Sequence, residues 1–318
     1  SIYAGYIATE YYPVAPLLVN LGVRYEISKQ WVDYYTDGGK AERSELNKND
    51  LFPSLNMKYQ MNEKNSLRFA FSRTVTRPSF IEMAPFLYQE SYGSAQIRGN
   101  ADLQNGYNYN IDLRYELFEK NGDMLSITAY YKHLKAPIER VQTLSGGSAV
   151  HSFRNADNGM ATGVEIEFRK EIVKDLRFGV NGSYMYTNVK LPEGGAYTNS
   201  QRALQGASPY LANADLTYSP AFSNDRQLSV ALLYNLQGPR IHSVGISGLG
   251  DIKQQPVHTL NFTGSYRFNR RFAVKLQVND LLNQDILFKQ EVPTTGDKVE
   301  VERFRKGTGF EVGFSYDL

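Results

Sequence analysis

The sequence predicts an all-β chain that forms a transmembrane, antiparallel, up-and-down β-barrel. Three observations lead to this fold class. Apolar residues recur at every second position, in about thirteen separate runs. Each run has about nine to eleven residues, the length that a tilted strand needs to cross hydrocarbon. Short connections also alternate with long ones, as in a barrel with tight periplasmic turns and extended outer loops.

The period of two is clear from the first strong run to the last. Residues 17–28 (LLVNLGVRYEIS) alternate apolar positions with polar or small ones that include Arg24 and Glu26. The same division recurs at 107–117, 163–169, 260–268 and 310–318. One face of each strand is therefore expected to meet lipid and the other to line the lumen. The charged residues expected on the lumen face of these later runs are Arg114, Glu116, Glu165, Glu167 and Arg169.

The connections orient the chain. Short ones are expected at 12–16, 61–66, 119–123, 172–175 and 267–271, and long ones at 32–50, 79–105, 190–209, 238–255 and 288–298. The long ones should face outwards. Five tyrosines on the apolar face then fall near the short connections, where an aromatic belt would meet headgroups: Tyr59, Tyr115, Tyr218, Tyr266 and Tyr316.

Composition excludes several classes of function. The 318 residues include no cysteine, so a disulfide scaffold and a cysteine-ligated metal site are excluded. A net charge of +2 gives no support for a nucleic-acid partner. The mean hydropathy of −0.44 fits strands that alternate apolar and polar residues. No apolar stretch is as long as a membrane helix, and no targeting peptide begins the sequence.

Catalysis is not expected, nor is a cofactor or a bound metal. His133, His151, His242 and His258 lie in separate segments without ligand spacing, and the glycines of 245–250 follow no strand-to-helix junction. A soluble sandwich or propeller is the alternative fold, because both also alternate. It would need connections between sheets or a blade repeat, and the sequence shows no repeat of fixed period.

The segment FSRTVTRPSF at 71–80 breaks the pattern. A strict period would place Arg73 and Arg77 on the lipid face, where a cation costs about 2 to 4 kcal/mol near the midplane. We therefore expect a bulge near Ser72–Thr74, or emergence above the hydrocarbon, that turns both arginines to the lumen or the rim. The alternative is that Arg77 extends to the headgroups. Pro78 should end the strand's pairing.

Several stretches, in this order along the chain, resemble the C-terminal part of the barrel of TonB-dependent outer-membrane receptors. They are FSRTVTRPSF, IRGNADLQNGYNYNIDLRYE, NADNGMATGVEIEFRK, ALQGASPYLANADLTY, YNLQGPRIHSVG, QPVHTLNFTGSYRF, LQVNDLLNQ and GFEVGFSYDL. The resemblance implies that 1–318 is the C-terminal portion of a barrel of about 22 strands, with the plug domain and first strands outside this sequence. An odd count near thirteen fits a partial barrel. The final Leu318 departs from the aromatic residue that often ends such barrels.

The resemblance also implies a function and a location. The expected location is the outer membrane of a Gram-negative bacterium. The expected function is active uptake of a scarce solute, such as a ferric chelate, glycan, peptide or vitamin. Partners would be outer-membrane lipid, the protein's own plug domain and TonB, and a surface lipoprotein is left open. In this reading the lumen charges also contact the plug. A passive porin and an outer-membrane barrel enzyme remain the alternatives.

The ligand is expected to enter from the side of the long connections. These carry aromatic and cationic residues, which suit sugar rings, aromatic chelates and carboxylates. The candidate ligand residues are Tyr88, Tyr92, Arg98, Arg240 and His242, with Arg240 and either Tyr88 or Tyr92 nearest the ligand. Further residues of this type on the same connections are Trp31, Tyr34, Tyr35, Tyr197 and Arg202. Packing of these loops against one another is the alternative role for each of them.

Overall fold

The computed structural model describes residues 1–36, 38–89, 96–119, 121–145, 148–192, 197–220, 222, 225–245, 248–292 and 294–316, without the side chains of 142–149. The strands in the described part are β1 (Ile2–Val14), β2 (Leu17–Tyr35), β3 (Ala41–Gln60), β4 (Asn65–Thr76), β5 (Leu87–Tyr88), β6 (Ile97–Arg98), β7 (Gly106–Phe118), β8 (Met124–Lys135), β9 (Ile138–Ser145), β10 (Ser148–Asn155), β11 (Asn158–Val173), β12 (Leu176–Lys190), β13 (Gln201–Arg202), β14 (Tyr210–Tyr218), β15 (Gln227–Gln237), β16 (Arg240–Ser243), β17 (Ile252–Gln254), β18 (Val257–Arg267), β19 (Phe272–Asn279), β20 (Ile286–Glu291), β21 (Lys298–Phe304) and β22 (Gly309–Tyr316). One short helix, α1 (Phe80–Met83), follows β4.

Thirteen strands form the wall of the molecule, one antiparallel sheet whose order follows the chain. The order is β1, β2, β3, β4, β7, β8, β11, β12, β14, β15, β18, β19 and β22, and β13 pairs with the outer end of β12. Each strand pairs with the next wall strand along the sequence, so the topology is up-and-down. The number of strands expected from the apolar runs is confirmed.

The connections between wall strands alternate between short and long. Short ones lie at 15–16, 61–64, 119–123, 174–175, 219–226 and 268–271. The long connections after β4, β12 and β15 fall where the sequence predicts them. The connection at 136–157, which contains β9 and β10, was missed, and the one predicted at 288–298 extends from 280 to 308 and contains β20 and β21.

The long loop predicted at 32–50 is wrong. β2 and β3 continue as a paired hairpin up to Tyr35 and Ala41, and only a tight turn joins them. Gly39 in that turn has a φ of 74°, a conformation that glycine adopts without strain. The hairpin extends beyond the apolar part of the wall, where both of its faces meet water. The alternation of apolar and polar residues is therefore lost there although the backbone pairing continues, so the sequence does not predict a strand.

The outer connections form two small sheets of their own. One has the order β5, β6, β10, β9 and the other β16, β17, β20, β21. Fully buried apolar side chains lie in these connections, including Met83, Ile97 and Leu103. A further cluster joins Val141, Ala156, Val189 and Leu191, with Tyr197 and Leu204 packed against it. The apolar core of the described chain therefore lies mainly in its outer loops and at the outer ends of wall strands.

The two faces of the wall show the inverse of a soluble protein's burial. On the apolar face, Leu113 is 47% exposed and Phe310 is 73% exposed, whereas Glu26 on the polar face is only 7% exposed. Exposing the apolar face of a whole sheet is unfavourable in water but favourable in hydrocarbon. The apolar face is therefore the outer, lipid-facing surface and the polar face is the lumen. A sandwich or propeller would have buried the apolar face, so that alternative is excluded.

The five belt tyrosines lie near the ends of wall strands that lead into short connections, except that Tyr316 lies at the end of β22. Tyr59, Tyr218 and Tyr316 are exposed on the apolar face. Tyr266 packs edge-on against Phe268, which stacks on Phe272 at the neighbouring turn. Aromatic rings at this level can contact both acyl chains and headgroups. Among the described residues, no helix has both the length and the apolar character required to span a membrane.

Candidate functional site

The lumen face of the wall carries a continuous row of polar side chains. Strand pairing places each member directly beside the next one on the neighbouring strand. The row consists of Gln60, Ser66, Glu116, Ser126, Glu167, Asn181, Asn213, Asn235 and Thr259. Because side-chain pairs across strands are the unit of sheet stabilisation, this row can stabilise the pairing of nine strands on the lumen face.

In one half of this row, the glutamates form ion pairs with arginines on the same face of the wall. Arg68 Nε and Arg114 Nε each lie 2.8 Å from a different oxygen of Glu116. Arg114 also lies 3.8 Å from Glu167, which binds Arg169 at 2.6 Å. Glu116 is nearly buried, and it also accepts a hydrogen bond from the Ser66 hydroxyl. Two cations and a hydroxyl therefore satisfy this nearly buried carboxylate.

The structure thus brings together four of the five lumen charges predicted on the later runs. Arg114, Glu116, Glu167 and Arg169 belong to one network, joined by Arg68, which was not singled out. Glu165 points into the lumen as well and lines a recess of about 380 Å³ beside that network. The signal that could have identified Arg68 is the alternation of 65–71, where it falls between Leu67 and Phe69.

Asparagines form the other half of the row. Asn213 donates to Asn181 at 2.7 Å, and Asn235 donates to Asn213 at 2.6 Å. An amide carries both a donor and an acceptor, so identical residues can continue a hydrogen-bonded chain from strand to strand. This part of the wall is polar without a net charge, in contrast to the charged part built on β4, β7 and β11.

Arg77 turns to the lumen face, whereas Arg73 is held at the rim, between the Tyr107 ring of the outer face and Asp50 of the lumen face. Arg73 donates to the carbonyl of Leu51 at 2.6 Å, lies 3.6 Å from Asp50 and stacks 4.5 Å above the ring of Tyr107. Arg77 binds Glu26 at 2.5 Å. The pairing of β4 with β7 continues without a bulge to Thr76, but the pairing of β3 with β4 ends at Ser54 and Ser72.

The bulge expected near Ser72–Thr74 is therefore wrong, because β4 pairs regularly with β7 there and its pairing with β3 simply ends. Above Ser72 the two strands separate, and the gap between them gives the Arg73 side chain a route to Asp50 on the lumen side. Glu26 had been recognised as a lumen residue, but Asp50 had not been singled out. Which carboxylate meets which arginine depends on strand register and separation, and the local sequence does not reveal either.

The candidate ligand residues lie in two different loop sheets. Tyr88 and Arg98 are in β5 and β6, whereas Arg240 and His242 are in β16. Tyr92 lies outside the described residues. Arg240 donates to Gln254 on the adjacent strand at 2.8 Å, and the His242 ring meets Phe288 edge-on with centroids 4.7 Å apart.

Two of the other loop aromatics do not face the lumen. Trp31 and Tyr35 are exposed, and Trp31 lies 5.9 Å from the guanidinium of Arg43. Tyr34, on the opposite face of β2, donates a hydrogen bond to Glu42 at 3.1 Å. Tyr197 packs against the apolar cluster of the loops. For Tyr197 the structure shows loop packing, which was the alternative role.

Arg202 is held in a buried ion pair. Its guanidinium lies 3.0 Å from Glu139 of β9, and the two side chains are 3% and 6% exposed. Burial raises the pKa of Glu139, while the charge of Arg202 and the backbone amide of Gln205 oppose that rise. This pair connects the loop at 136–157 to the loop at 191–209. Sequence reasoning missed Glu139, because a single glutamate in a loop carries no pattern.

A cavity of about 480 Å³ opens at the outer end of β12, between the loops at 203–209 and 239–253. Its charged lining residues are Arg202, Arg240, Asp251 and Lys253. Tyr184 and Tyr186 of β12 also border it, although they belong to the lipid-facing side of that strand. Glu139 neutralises Arg202. The remaining cations of the lining, Arg240 and Lys253, outnumber the one carboxylate, Asp251, so the net charge of the cavity is positive. The arrangement can hold an anionic group by charge-assisted hydrogen bonds. Within the described residues, no cluster of three or more histidines or carboxylates is placed to hold a metal ion.

Comparison with known proteins agrees with this architecture. A profile of the outer membrane protein beta-barrel family matches residues 1–316. Among curated proteins, the ferric enterobactin receptor of Pseudomonas aeruginosa is 21% identical over 78% of this chain. The match covers 35% of that receptor, so the chain spans about a third of its length.

Solved structures share the fold over almost the whole chain. A ferric enterobactin receptor variant from Pseudomonas aeruginosa aligns with a TM-score of 0.68 and 17% identity, covering 99% of this chain and 44% of that one. The ferric yersiniabactin uptake receptor FyuA of Yersinia pestis gives 0.69 and 14% identity over 100% and 45%. The copper transporter OprC gives 0.69 and 13% over 99% and 48%. These relatives are named as receptors and transporters. The expected likeness to barrels of outer-membrane receptors is confirmed.

Proposed function

Because the chain belongs to the outer membrane protein beta-barrel family, we propose that it is the C-terminal wall of a TonB-dependent receptor that takes up a scarce solute across the outer membrane. The observation that carries the proposal is the built cap of outer loops. Two loop sheets and their own buried core lie at the outer end of a polar wall, beside a cationic cavity. Such a cap can bind a specific solute, whereas a passive pore needs only an open lumen.

The cavity favours an anionic solute. Arg240 and Lys253 can bind carboxylate or phenolate oxygens by charge-assisted hydrogen bonds. A ferric chelate with such oxygens is a solute of this kind. The relatives named as ferric enterobactin and ferric yersiniabactin receptors support this class, which we place above glycans, peptides and vitamins. We further propose that the barrel carries out no catalysis.

The rest of the proposed receptor would complete the wall and fill the lumen. β1 is exposed along its whole length, and β1 and β22 are the two edges of the described sheet. A sheet of thirteen antiparallel strands has edges that run parallel to each other, so further strands are needed for an antiparallel barrel to close. We propose that preceding barrel strands pair with both edges. A plug domain would contact the charged row, and TonB would supply the energy for transport.

Ligand binding to the full-length receptor tests the site. Candidate ferric chelates, glycans and peptides are titrated against wild type, Arg240→Gln and Lys253→Gln, with Lys298→Gln as a matched control on β21 outside the cavity. We expect about tenfold weaker binding of the preferred ligand for each cavity variant, from the loss of a charged hydrogen bond. Lys298→Gln should bind as wild type does. If both cavity variants keep wild-type affinity, the site is wrong.

Uptake tests the transport mechanism separately. In cells that express the full-length protein, uptake of the bound ligand should stop when the inner-membrane energy supply or TonB is removed. Uptake that continues unchanged without TonB would identify a passive porin. Binding and uptake are measured independently, so failure of the site does not decide the mechanism.

A further inference from the structure

The outer, lipid-facing surface of β7, β8, β11 and β12 changes chemistry in regular steps towards its outer end. Four rows of directly paired residues run across these strands. From the apolar part outwards they are Leu113, Ala129, Val164 and Tyr184; then Ile111, Tyr131, Thr162 and Tyr186; then Tyr109, His133, Met160 and Asn188; and finally Tyr107, Lys135, Asn158 and Lys190. Aliphatic residues thus give way to tyrosines, then to amphipathic residues, and last to lysines.

The lysine row lies at the height of the headgroups. On β11, Lys170 marks the periplasmic edge of the apolar face, and the strand rises about 25 Å from Lys170 to Met160 when tilted by about 40°. That distance equals the height of the apolar band of an outer-membrane barrel. Asn158 and its two lysine neighbours therefore lie just beyond the hydrocarbon, where the outer ends of lipids carry their polar groups.

The two lysines are placed to share one anionic group. Both pair with Asn158, from opposite sides, so they are two strand spacings apart, about 10 Å between backbones. Flexible lysine side chains can converge over that distance. Both are exposed, and in the part of the chain that the structure describes neither ammonium has a salt-bridge partner. No member of the four rows is acidic.

We propose that this surface, the rim patch of Tyr131, His133, Lys135, Asn158 and Lys190, binds the phosphate of an outer-leaflet lipid headgroup. The tyrosine and Met160 would contact the acyl chains, the lysines would bind the phosphate oxygens, and Asn158 and His133 would donate hydrogen bonds. A lipid fits this surface better than a free anion does, because the patch continues without interruption into the apolar face. The site is independent of the solute proposed for the loops.

Lipid retention by the purified full-length protein tests the proposal. The protein in detergent is titrated with phosphatidylglycerol or with zwitterionic phosphatidylcholine, and native mass spectrometry counts the bound lipids. The variant Lys135→Gln/Lys190→Gln is compared with Lys132→Gln. Lys132 is a matched control, since it lies on the same strand but on the lumen face, over the ring of Tyr130.

We expect wild type to retain phosphatidylglycerol in preference to phosphatidylcholine. Each lysine should contribute about fivefold to the affinity, so the double variant should lose about 25-fold and Lys132→Gln should lose little. Lys135→Arg/Lys190→Arg should keep the binding. An equal loss for Lys132→Gln, or full retention by the double variant, would overturn the proposal. Complete displacement of the lipid by millimolar inorganic phosphate would identify a free-anion site and overturn it as well.

Discussion

Arg77 binds Glu26 across 51 residues of sequence, with 2.5 Å between Nη2 and Oε2. Glu26 lies on the lumen face of β2, and Arg77 is the first residue beyond β4. Next to it, the side-chain amide of Gln30 donates to the carbonyl of Pro78 at 2.5 Å. The long connection after β4 is therefore tied to the wall where it begins. The strand in which a strict period would have placed arginines in lipid instead ends in an anchor for the outer loop.

Removing this anchor should loosen the loop and leave the wall intact. Arg77→Ala leaves the nearly buried Glu26 with Arg24 alone, at a cost of about 2 kcal/mol, less than for a fully buried pair because Arg77 is partly exposed. We expect faster amide hydrogen exchange in α1 and β6 and unchanged exchange in the lower half of β2.

Arg24→Ala is the matched control for Arg77→Ala. Arg24 contacts the same carboxylate but belongs to the wall, so its loss should not increase exchange in the loop. If the two variants loosen α1 and β6 equally, the contact of Arg77 is not what holds the connection.

The lipid face can be tested by adding a charge to either face of one strand. Leu113→Arg on β7 places a cation in hydrocarbon and should cost about 2 to 4 kcal/mol of stability. Asn110→Arg, on the lumen face beside Ser72, should cost much less. Phe262→Arg and Thr263→Arg repeat the comparison on β18. Stability is measured by urea-induced unfolding in lipid vesicles, and equal costs on both faces would contradict the assignment.

The fold was predictable because a lipid-spanning strand repeats a simple rule over many residues. Whether a residue such as Leu113 or Asn110 faces lipid or the lumen follows from its odd or even position along the strand. The number of wall strands follows from the number of apolar runs. The alternation of lipid-facing and lumen-facing positions does not extend beyond the membrane. The sequence predicts a loop at the hairpin of Tyr35 and Ala41, since apolar and polar residues do not alternate there. In the small loop sheets, the strands β5, β6 and β17 are too short for a period.

The orientation of the barrel can be tested at the tip of the β2 and β3 hairpin. Gly39 has a φ of 74°, which would strain any other residue, so Gly38 is the preferable cysteine site. Gly195, on the long connection predicted at 190–209, would be a second site but lies outside the described residues.

A membrane-impermeant maleimide should label Gly38→Cys in intact cells, because the tip lies on the side of the long connections. Lys174→Cys, in the short turn between β11 and β12, should label only after the outer membrane is ruptured. The reverse result would invert the orientation.

The site was less predictable than the fold, because its residues meet through register. Glu116 and Arg114 were identified as lumen charges, but their partners could not be assigned without knowing which strands are neighbours and at what offset. Arg240 and Arg202 both line the cavity at the outer end of β12, but the Arg202 side chain is buried against Glu139. Residue type alone does not distinguish these two arginines.

The buried pair of Glu139 and Arg202 should make the outer loops sensitive to pH once it is broken. Burial raises the pKa of Glu139, so the folded loops bind a proton more readily than the unfolded chain does. The stability of the loops therefore decreases as the pH rises from the ordinary carboxyl pKa through the raised one. In wild type the charge of Arg202 counters part of this loss. Arg202→Met removes the counter-charge and should cost about 3 to 5 kcal/mol at neutral pH.

Hydrogen exchange in β9 and β10, corrected for the intrinsic effect of pH, measures this loss. Arg202→Met should lose protection at pH 7.5 and regain most of it near pH 4.5, where Glu139 is protonated. Glu139→Gln/Arg202→Met carries neither charge, so its protection should be close to wild type at neutral pH and nearly independent of pH. If the amides of β9 and β10 in Arg202→Met are equally unprotected at both pH values, the cause is lost packing and not the unpaired charge of Glu139.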